Sequence, residues 1–526
     1  MRILAIIDRS SIRLPLHLLL GALSAAALLA FTRPAVAQPK TESDQEPSAV
    51  SAALAMEQLL VKSIEQAEKS VVAIGIFAGL RHTDAHPPSD LKPDSYGTGV
   101  AVGERLILTN HHVVLNELPD ERQIRATAIF VHAAGHAQWL RVRIKAADPR
   151  TDLAVLEIVP SETEAPQLVP IKMAPASREL KKGQIVLSLG NPYGIASDGE
   201  VSASWGIISN IDRRVAKKDA TEMTKLQDYG GLIQTDAKLN LGTSGGALIN
   251  LRGEMVGLTT SLAATAGYET PAGFAIAVDK TFQRAVKSLI SGREVEHGLI
   301  GVIPKELETE RGAQPHGVVV DGTISGVPAG QVLRRDDLIT HIDGRRIHFP
   351  AELIVAIGEK GAGDTVTVDF QRPLGQQQVQ QASVQLNKFD VQGTKVITTK
   401  RPSWRGLHVD YPEPVLVSRS YRYLLGDCLL VTEVDADSPA AAAGIEKGSY
   451  IRGVNGTRFV DPAEATKSVA NPDRFLQQAA SLAGPVELEV RSPHVEDSFR
   501  RVVVPSASEP SNGGSAEEAD DKGLVE

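Results

Sequence analysis

Gln234-Thr235-Asp236-Ala237-Lys238-Leu239-Asn240-Leu241-Gly242-Thr243-Ser244-Gly245-Gly246-Ala247-Leu248 sets one serine inside a glycine frame, and the reading of this stretch decides the fold. Gly242 lets the backbone take a turn that residues with a Cβ resist, and Gly245 and Gly246 allow other chain segments to approach closely. Such a turn can aim several backbone N–H groups at one point, which is what a developing oxyanion requires. The expected donors are the amides of Gly242 and Ser244, with Thr243 a third candidate. By itself Gly-x-Ser-Gly-Gly is equally a plain glycine turn. Whether Ser244 is a nucleophile depends on what accompanies it. A serine hydroxyl reacts only when a histidine takes its proton and a carboxylate holds that histidine in the right tautomer.

Both partners stand upstream. Leu106-Ile107-Leu108-Thr109-Asn110-His111-His112-Val113-Val114 is a strand-like run that delivers a histidine pair. Asp148-Pro149-Arg150-Thr151-Asp152-Leu153-Ala154-Val155-Leu156 is a turn that sets Asp152 just before another such run. Asp152 alone would pass as a turn residue. The order decides: His, then Asp, then Ser, each at a strand edge, is the chain order of chymotrypsin-type proteases. The surrounding runs agree. Val71–Phe77, Gly99–Val102, Leu106–Thr109, Ala126–Val131, Ala154–Ile158, Ile185–Leu189 and Met255–Thr260 are short and β-rich, and Gly, Pro, Asn and Asp separate them. That pattern predicts a sandwich or barrel. The spacing of Leu54, Leu59, Leu60 and Ile64 predicts a helix within Ala49–Lys69, and Lys280–Ile290 predicts another where the region ends near Gly292.

Two later segments repeat one design. Gly317–Val320 leads through Pro328-Ala329-Gly330 to Asp337–Gly344, and Leu429–Val434 leads through Ser438-Pro439-Ala440 to Gly448–Gly456. Each is a strand, a Pro-Ala helix start, a strand and a tight turn, spaced as a duplicated domain would be. The polar residues Asp390–Arg401 between them are expected to be a linker.

Thr109–Val114, Thr151–Val155 and Gln234–Leu248 resemble the three signature blocks of the HtrA/DegP family of serine proteases, as do Gly190-Asn191-Pro192-Tyr193-Gly194 and Gly273-Phe274-Ala275-Ile276. The resemblance runs from Val71 to about Val504. It implies a mainly β chain: a chymotrypsin-like double β-barrel over residues 70–292, then PDZ-like α+β domains over 297–388 and 402–505, joined by a linker at 389–401. It also implies ATP-independent cleavage of unfolded or damaged proteins, peptide C-termini as ligands of the PDZ domains, no cofactor, and a homo-oligomer built on trimers. Aligned as Thr-Asn-x-His-Val, the first block makes His112 the base, so the expected triad is His112, Asp152 and Ser244, with His111 a neighbour of unassigned role. Trypsin-like enzymes that select basic side chains carry an acid six positions before the nucleophile. Here that position is Lys238, so the pocket, walled by Leu239 and Thr260–Phe274, is expected to take small or medium apolar residues. Leu299, Ile300, Gly301 and Val302 resemble the family's carboxylate-binding loop; Arg405–Val409 in the second copy is a poorer match. The first copy departs from the family at Arg334-Arg335-Asp336-Asp337, where a Gly usually precedes the Asp, and the second has Ser449 in place of that Asp. The competing reading is a non-catalytic PDZ-mediated chaperone or adaptor on the same scaffold.

Composition narrows the rest. The net charge of −9 and the lack of any Lys/Arg-rich block argue against a nucleic-acid partner. The single cysteine, Cys428, excludes an intramolecular disulfide and a cysteine zinc site, and it reads as a small core residue. His132 and His136 flank Ala-Ala-Gly with no helix to set them on one face, so no metal site is expected. Arg2, Arg9 and Arg13 precede the apolar run Leu14–Phe31 and then Ala35-Val36-Ala37, the layout of a secretory signal over residues 1–37 and hence of an exported, periplasmic or extracytoplasmic protein. Residues 506–526, acidic and without an apolar run, read as a disordered tail.

Overall fold

The computed structural model describes residues 49–506 with interruptions, the longest at 116–127, 214–230 and 261–272. The chain divides into two units, Met1–Leu54 and Ala55–Glu526. Of the first, only the start of helix α1 (Ala49–Ala67) is described; the expected signal and the acidic tail beyond residue 506 lie outside the described residues. All that follows concerns the second unit. Among the described residues no helix is long and apolar enough to cross a membrane.

Two six-stranded barrels form the first half. Strands β1 (Val71–Phe77), β2 (Ser95–Gly103), β3 (Leu106–Asn110), β4 (Ala128–Ala133), β5 (Leu140–Asp148) and β6 (Leu153–Ile158) run in the order β5-β4-β1-β2-β3-β6, and pairing of β5 with β6 closes the ring. Strands β7 (Ile185–Gly190), β8 (Ser202–Arg213), β9 (Leu232–Thr235), β10 (Ala247–Ile249), β11 (Met255–Thr260) and β12 (Gly273–Ala277) close the second in the order β10-β11-β12-β9-β8-β7. Helix α2 (His111–Leu115) is one turn directly after β3, and α3 (Lys280–Ile290) starts where the Asp279 carboxylate accepts the Phe282 N–H at 2.8 Å.

Strand β1 shows why an uninterrupted Val/Ile run suits this site. Successive side chains point to opposite faces. Val72 and Ile74 enter the core of the first barrel, while Val71 joins a second core shared with Leu189, Leu258 and Phe282 of the other barrel and α3. Neither face meets water, so no polar alternation is needed. On α1, Leu60 and Ile64 pack on that shared core, and Ser63 Oγ donates to the Leu251 carbonyl at 2.8 Å.

The second half holds two sheets of identical strand order. Strands β13 (Val302–Glu306), β14 (Val318–Thr323), β15 (Leu338–Ile342), β16 (Thr365–Gln371) and β17 (Val379–Gln385) follow one another across the first, with helices α4 (Ala329–Val332) and α5 (Pro350–Gly358). After the two-residue strand β18 (Val396–Ile397), strands β19 (Leu407–Asp410), β20 (Leu429–Val434), β21 (Tyr450–Val454), β22 (Val486–Arg491) and β23 (Arg500–Val504) repeat the order, with α6 (Pro439–Ala442) and α7 (Pro472–Ala480). Each sheet buries its own apolar core.

Residues 389–401 are more than a connection. Strand β18 pairs antiparallel with β5, setting Val396 opposite Ala147 and Ile397 opposite Ala146. The amides of Thr398 and Thr399 donate to the Gly292 carbonyl at 3.0 and 2.9 Å. An ion network flanks them. Lys388 Nζ reaches Glu294 at 2.7 Å and Asp410 at 2.6 Å, and Arg401 bonds Glu296, Asp410 and Asp473. Burial opposes the charge on Lys388, but the two carboxylates outweigh it and hold the ammonium at about 12. The polarity that suggests a linker is thus spent on neighbours.

Candidate active site

Asp152 and His112 meet where the first barrel faces the second. Asp152 directly precedes β6 and has a left-handed backbone, φ +54°, which Asp tolerates better than most residues. Neighbours secure it. Its carbonyl accepts the His111 N–H at 2.9 Å and Asn110 Nδ2 at 3.2 Å, and its carboxylate accepts the His112 N–H at 3.0 Å and Thr260 Oγ1 at 3.3 Å. Helix α2, starting directly after β3, turns the His112 ring so that Nδ1 lies 2.8 Å from Asp152 Oδ2. The carboxylate can only accept, so Nδ1 carries the proton and Nε2 is left as a base. The Asp152 side chain is 2 % exposed and that of His112 16 %: the acid is sealed and the imidazole is partly exposed.

Ser244 arrives from the other barrel on the turn that leads into β10 and is nearly buried. Thr98 on β2 fastens this turn. Its N–H donates to the Ser244 carbonyl at 2.9 Å, its Oγ1 donates to the Gly242 carbonyl at 2.7 Å and accepts the Asn191 N–H, and its own carbonyl accepts Thr109 Oγ1. Gly245 has φ +85°, and a Cβ there would lie 2.1 Å from the Thr98 carbonyl oxygen. At Gly97 a Cβ would lie 2.6 Å from the Val113 side chain and 3.4 Å from the Ser244 carbonyl, so the segments of His112 and Ser244 converge across a position that only glycine can fill. One sequence expectation is corrected here: the Thr243 N–H donates to the Asn240 carbonyl at 3.1 Å, so it is spent inside the turn. Gly242 and Ser244 remain as the candidate oxyanion donors.

Comparison with known proteins follows this geometry. A family model described as a trypsin-like peptidase domain matches residues 97–258, and one described as a PDZ domain matches 298–386. A probable periplasmic serine endoprotease, DegP-like, from Chlamydia trachomatis serovar D is 28 % identical over 383 residues, covering 71 % of this chain and 70 % of the relative. The periplasmic serine endoprotease DegP of Escherichia coli K12 is 28 % identical over 400 residues, covering 73 % of each. The chain thus carries a trypsin-like peptidase domain followed by a PDZ domain, and it is similar to serine endoproteases named DegP. It is a serine endopeptidase. Among solved structures, the HtrA-type protease AlgW with tripeptide is 24 % identical, with a TM-score of 0.46, covering 63 % of this chain and 97 % of that one.

Six residues before the serine, Lys238 is exposed, and its carbonyl accepts Ser204 Oγ–H at 3.0 Å. Leu239 is half-buried against the start of β12, where Gly273 gives it room. The rest of the expected pocket wall, 261–272, lies outside the described residues. In the first PDZ-like domain Leu299 pairs with Asn387, Gly301 offers its carbonyl to the Ile324 N–H at 2.8 Å, and Ile300 and Val302 are buried. Strand β13, which follows this loop, lies at the edge of its sheet. The second domain has its own aromatic in the corresponding loop. Trp404 exchanges backbone hydrogen bonds with Leu407, stacks edge-on against Phe475 of α7, and donates its indole N–H to the Ala479 carbonyl at 2.9 Å. Of the family departures, Asp336 takes the left-handed conformation usual for Gly, φ +69°, and Asp337 pairs with Arg372 at 2.9 Å. Cys428 is buried, and burial pushes its thiol well above the ordinary range. His132 Nε2 donates to the His136 carbonyl and the ring stacks on Trp139, so the two imidazoles do not face one another.

Sequence reasoning missed Thr98 and Thr260. Both are ordinary strand threonines whose partners lie far away along the chain.

Proposed function

We propose that this serine endopeptidase is exported and cuts unfolded or damaged proteins, with Ser244 as nucleophile, His112 as general base and Asp152 as the group that orients the base. The observation that carries the reading is the His112–Asp152 pair at 2.8 Å, on a segment that converges with the Ser244 turn across Gly97. Nε2 of His112 takes the Ser244 proton as Oγ attacks the scissile carbonyl, and Asp152 stabilises the imidazolium that forms. The amides of Gly242 and Ser244 receive the oxyanion. His112 then protonates the leaving amine, and a water attacks the acyl-enzyme by the same route in reverse. With Lys238 where an acid would be needed to attract a cation, the residue before the cut is small or medium and apolar. The naming of relatives as periplasmic serine endoproteases supports an extracytoplasmic location, and the resemblance to HtrA/DegP proteases is the ground for an assembly built on trimers.

Hydrolysis of denatured casein tests the assignment. Ser244→Ala should stay folded and lose on the order of 10⁶ in turnover. Mass spectrometry of the wild-type fragments should show cuts mainly after Val, Ala, Ile or similar residues. Undiminished cleavage by Ser244→Ala would refute the triad and leave the PDZ-adaptor reading.

The free edge of β13 and the loop Leu299–Val302 support peptide chain ends as ligands of the first PDZ-like domain, added as a further strand with the carboxylate held by loop amides. In the full-length Ser244→Ala protein, titration with an apolar-ended peptide should weaken at least about tenfold when its terminus is amidated, because charged hydrogen bonds contribute roughly 1.5–3 kcal/mol. Equal affinity would mean that the loop does not read chain ends.

A further inference from the structure

The turn that presents Asp152 is held from outside the protease barrels at each of its first three residues. The buried carboxylate of Asp148 accepts the Thr151 N–H at 2.9 Å and Thr151 Oγ1 at 2.6 Å, and accepts Nε2–H of the buried His297, at the start of the first PDZ-like region, at 3.0 Å. Pro149 packs against Gly393, where a Cβ would come within 3.1 Å of the ring. The Arg150 guanidinium lies 4.0 Å over the ring of Phe389. The segment carrying Phe389 and Gly393 then pairs through β18 with the last residues of β5, directly before the turn. On the other arm of the site, the His111 ring, next to His112, donates Nε2–H to the Thr394 carbonyl at 2.8 Å. Helix α5 of the first PDZ-like domain comes to the same place: Ile354, Val355 and Gly358 share a cavity of about 50 Å³ with Arg150, Thr151 and His297. So one short segment between the PDZ-like domains touches both the turn that carries the acid and the turn that carries the base.

We propose that His297 and residues 389–397 are positioning elements for the triad, so that Asp152 is brought into register with His112 only when the segment between the PDZ-like domains is seated on the protease. Barrel groups hold the Asp152 end of this turn, while Asp148, Pro149 and Arg150 at its other end are each bonded or packed by a group from beyond residue 292. Catalysis depends steeply on such placement: a shift of about 1 Å originating far from the reacting atoms can cost on the order of 10²-fold. The inference rests on the serine-endopeptidase reading, with Asp152 as the residue that orients His112.

Two full-length variants test it by different routes. His297→Ala removes the donor to Asp148. Gly393→Val removes the seat on Pro149 from the other side, at a residue with φ +112° that a β-branched side chain resists, and leaves every protease residue intact. Each is compared with the wild type for kcat and KM on a quenched apolar peptide and for the pH dependence of kcat/KM, after circular dichroism shows the fold retained. The expected result is a drop in kcat of roughly 10- to 100-fold with KM changed far less. The acid limb of the profile should also move to lower pH, because an imidazole that loses its carboxylate is protonated less readily. His297→Gln, which keeps a side-chain N–H donor, should recover most of the rate. A variant that merely populated unfolded protein would lower the rate without moving the limb. Unchanged kcat and an unchanged acid limb in both His297→Ala and Gly393→Val would overturn the proposal. If the wild type shows no cleavage that Ser244→Ala removes, the protease reading itself fails, and this proposal with it.

Discussion

One turn, Asp148 to Asp152, has a histidine–carboxylate pair at each end, and the two pairs differ in access and in the ring nitrogen that meets the acid, Nδ1 in His112 and Nε2 in His297. At the forward end His112 meets Asp152 at 2.8 Å, and its ring keeps 16 % exposure. At the rear end His297 meets Asp148 at 3.0 Å, with side chains only 1 % and 2 % exposed. Burial pushes the Asp148 carboxyl upward, but the attraction of His297 and the bonds from His297 and Thr151 outweigh it and leave it at about 2. Burial, with Arg150 and Arg284 nearby, pushes His297 downward despite its bond to Asp148. The rear pair is therefore an anion and a neutral imidazole sealed in protein, a fastening with no proton to trade. The front pair differs in being partly exposed, on a ring whose segment converges with the Ser244 turn.

Substitutions should separate the ends. The largest effect is expected at the front: Asp152→Asn leaves a nearly isosteric side chain but favours the wrong tautomer of His112, and kcat should fall by about 10⁴-fold with melting little changed. A loss below tenfold would mean that Asp152 does not orient the base. At the rear the dominant effect should be on stability. Asp148→Ala breaks a fully buried pair and strands His297 and Thr151, at a cost of roughly 3–5 kcal/mol, measurable by urea unfolding. A change under about 1 kcal/mol would show that the rear pair is no fastening. The smallest effect is the pH dependence of that fastening. A His whose folded pKa lies below its ordinary value of 6.5 costs nothing above that pH and destabilises as the pH falls through it. Asp148, depressed toward 2, stabilises above about 4 and loses that contribution only as the pH approaches 2. Stability of the wild type should therefore decline first as the pH falls below about 6.5, by at most about 1.4 kcal/mol per pH unit from His297, and His297→Gln should flatten that part of the curve. Parallel curves for the two proteins would assign the acid sensitivity elsewhere.

The front end was legible in the sequence and the rear end was not. Glycines around Ser244, a histidine after Thr109-Asn110, and an aspartate before an apolar strand are local demands, set by tight turns and by the reacting groups themselves. Asp148 and His297 answer to each other across 149 residues, and nothing local marks the pairing. The same reason hides Thr98, whose partners sit on the Ser244 turn, and Thr260, which reaches Asp152. Strand β5 escaped for another cause: Leu140–Asp148 alternates apolar with charged residues along most of its length, because one face meets solvent or the chain packed on it, so it lacks the apolar run that marks β1 or β6. Thr243 illustrates a finer limit. Its place in the turn is visible in the sequence, but the direction of its N–H toward Asn240 depends on the turn's dihedral angles.

Strand β18 also sets a schedule. Val396 and Ile397 complete the outer edge of β5 beside Ala146 and Ala147, residues made about 250 positions earlier. At the ordinary pace of synthesis that interval is roughly 10–50 s. Contacts of such long sequence separation also form late in folding. A nascent chain thus holds all three residues of its candidate triad long before it holds the strand that pairs with β5, and the outer edge of β5 waits unpaired on that side while the first PDZ-like domain is made.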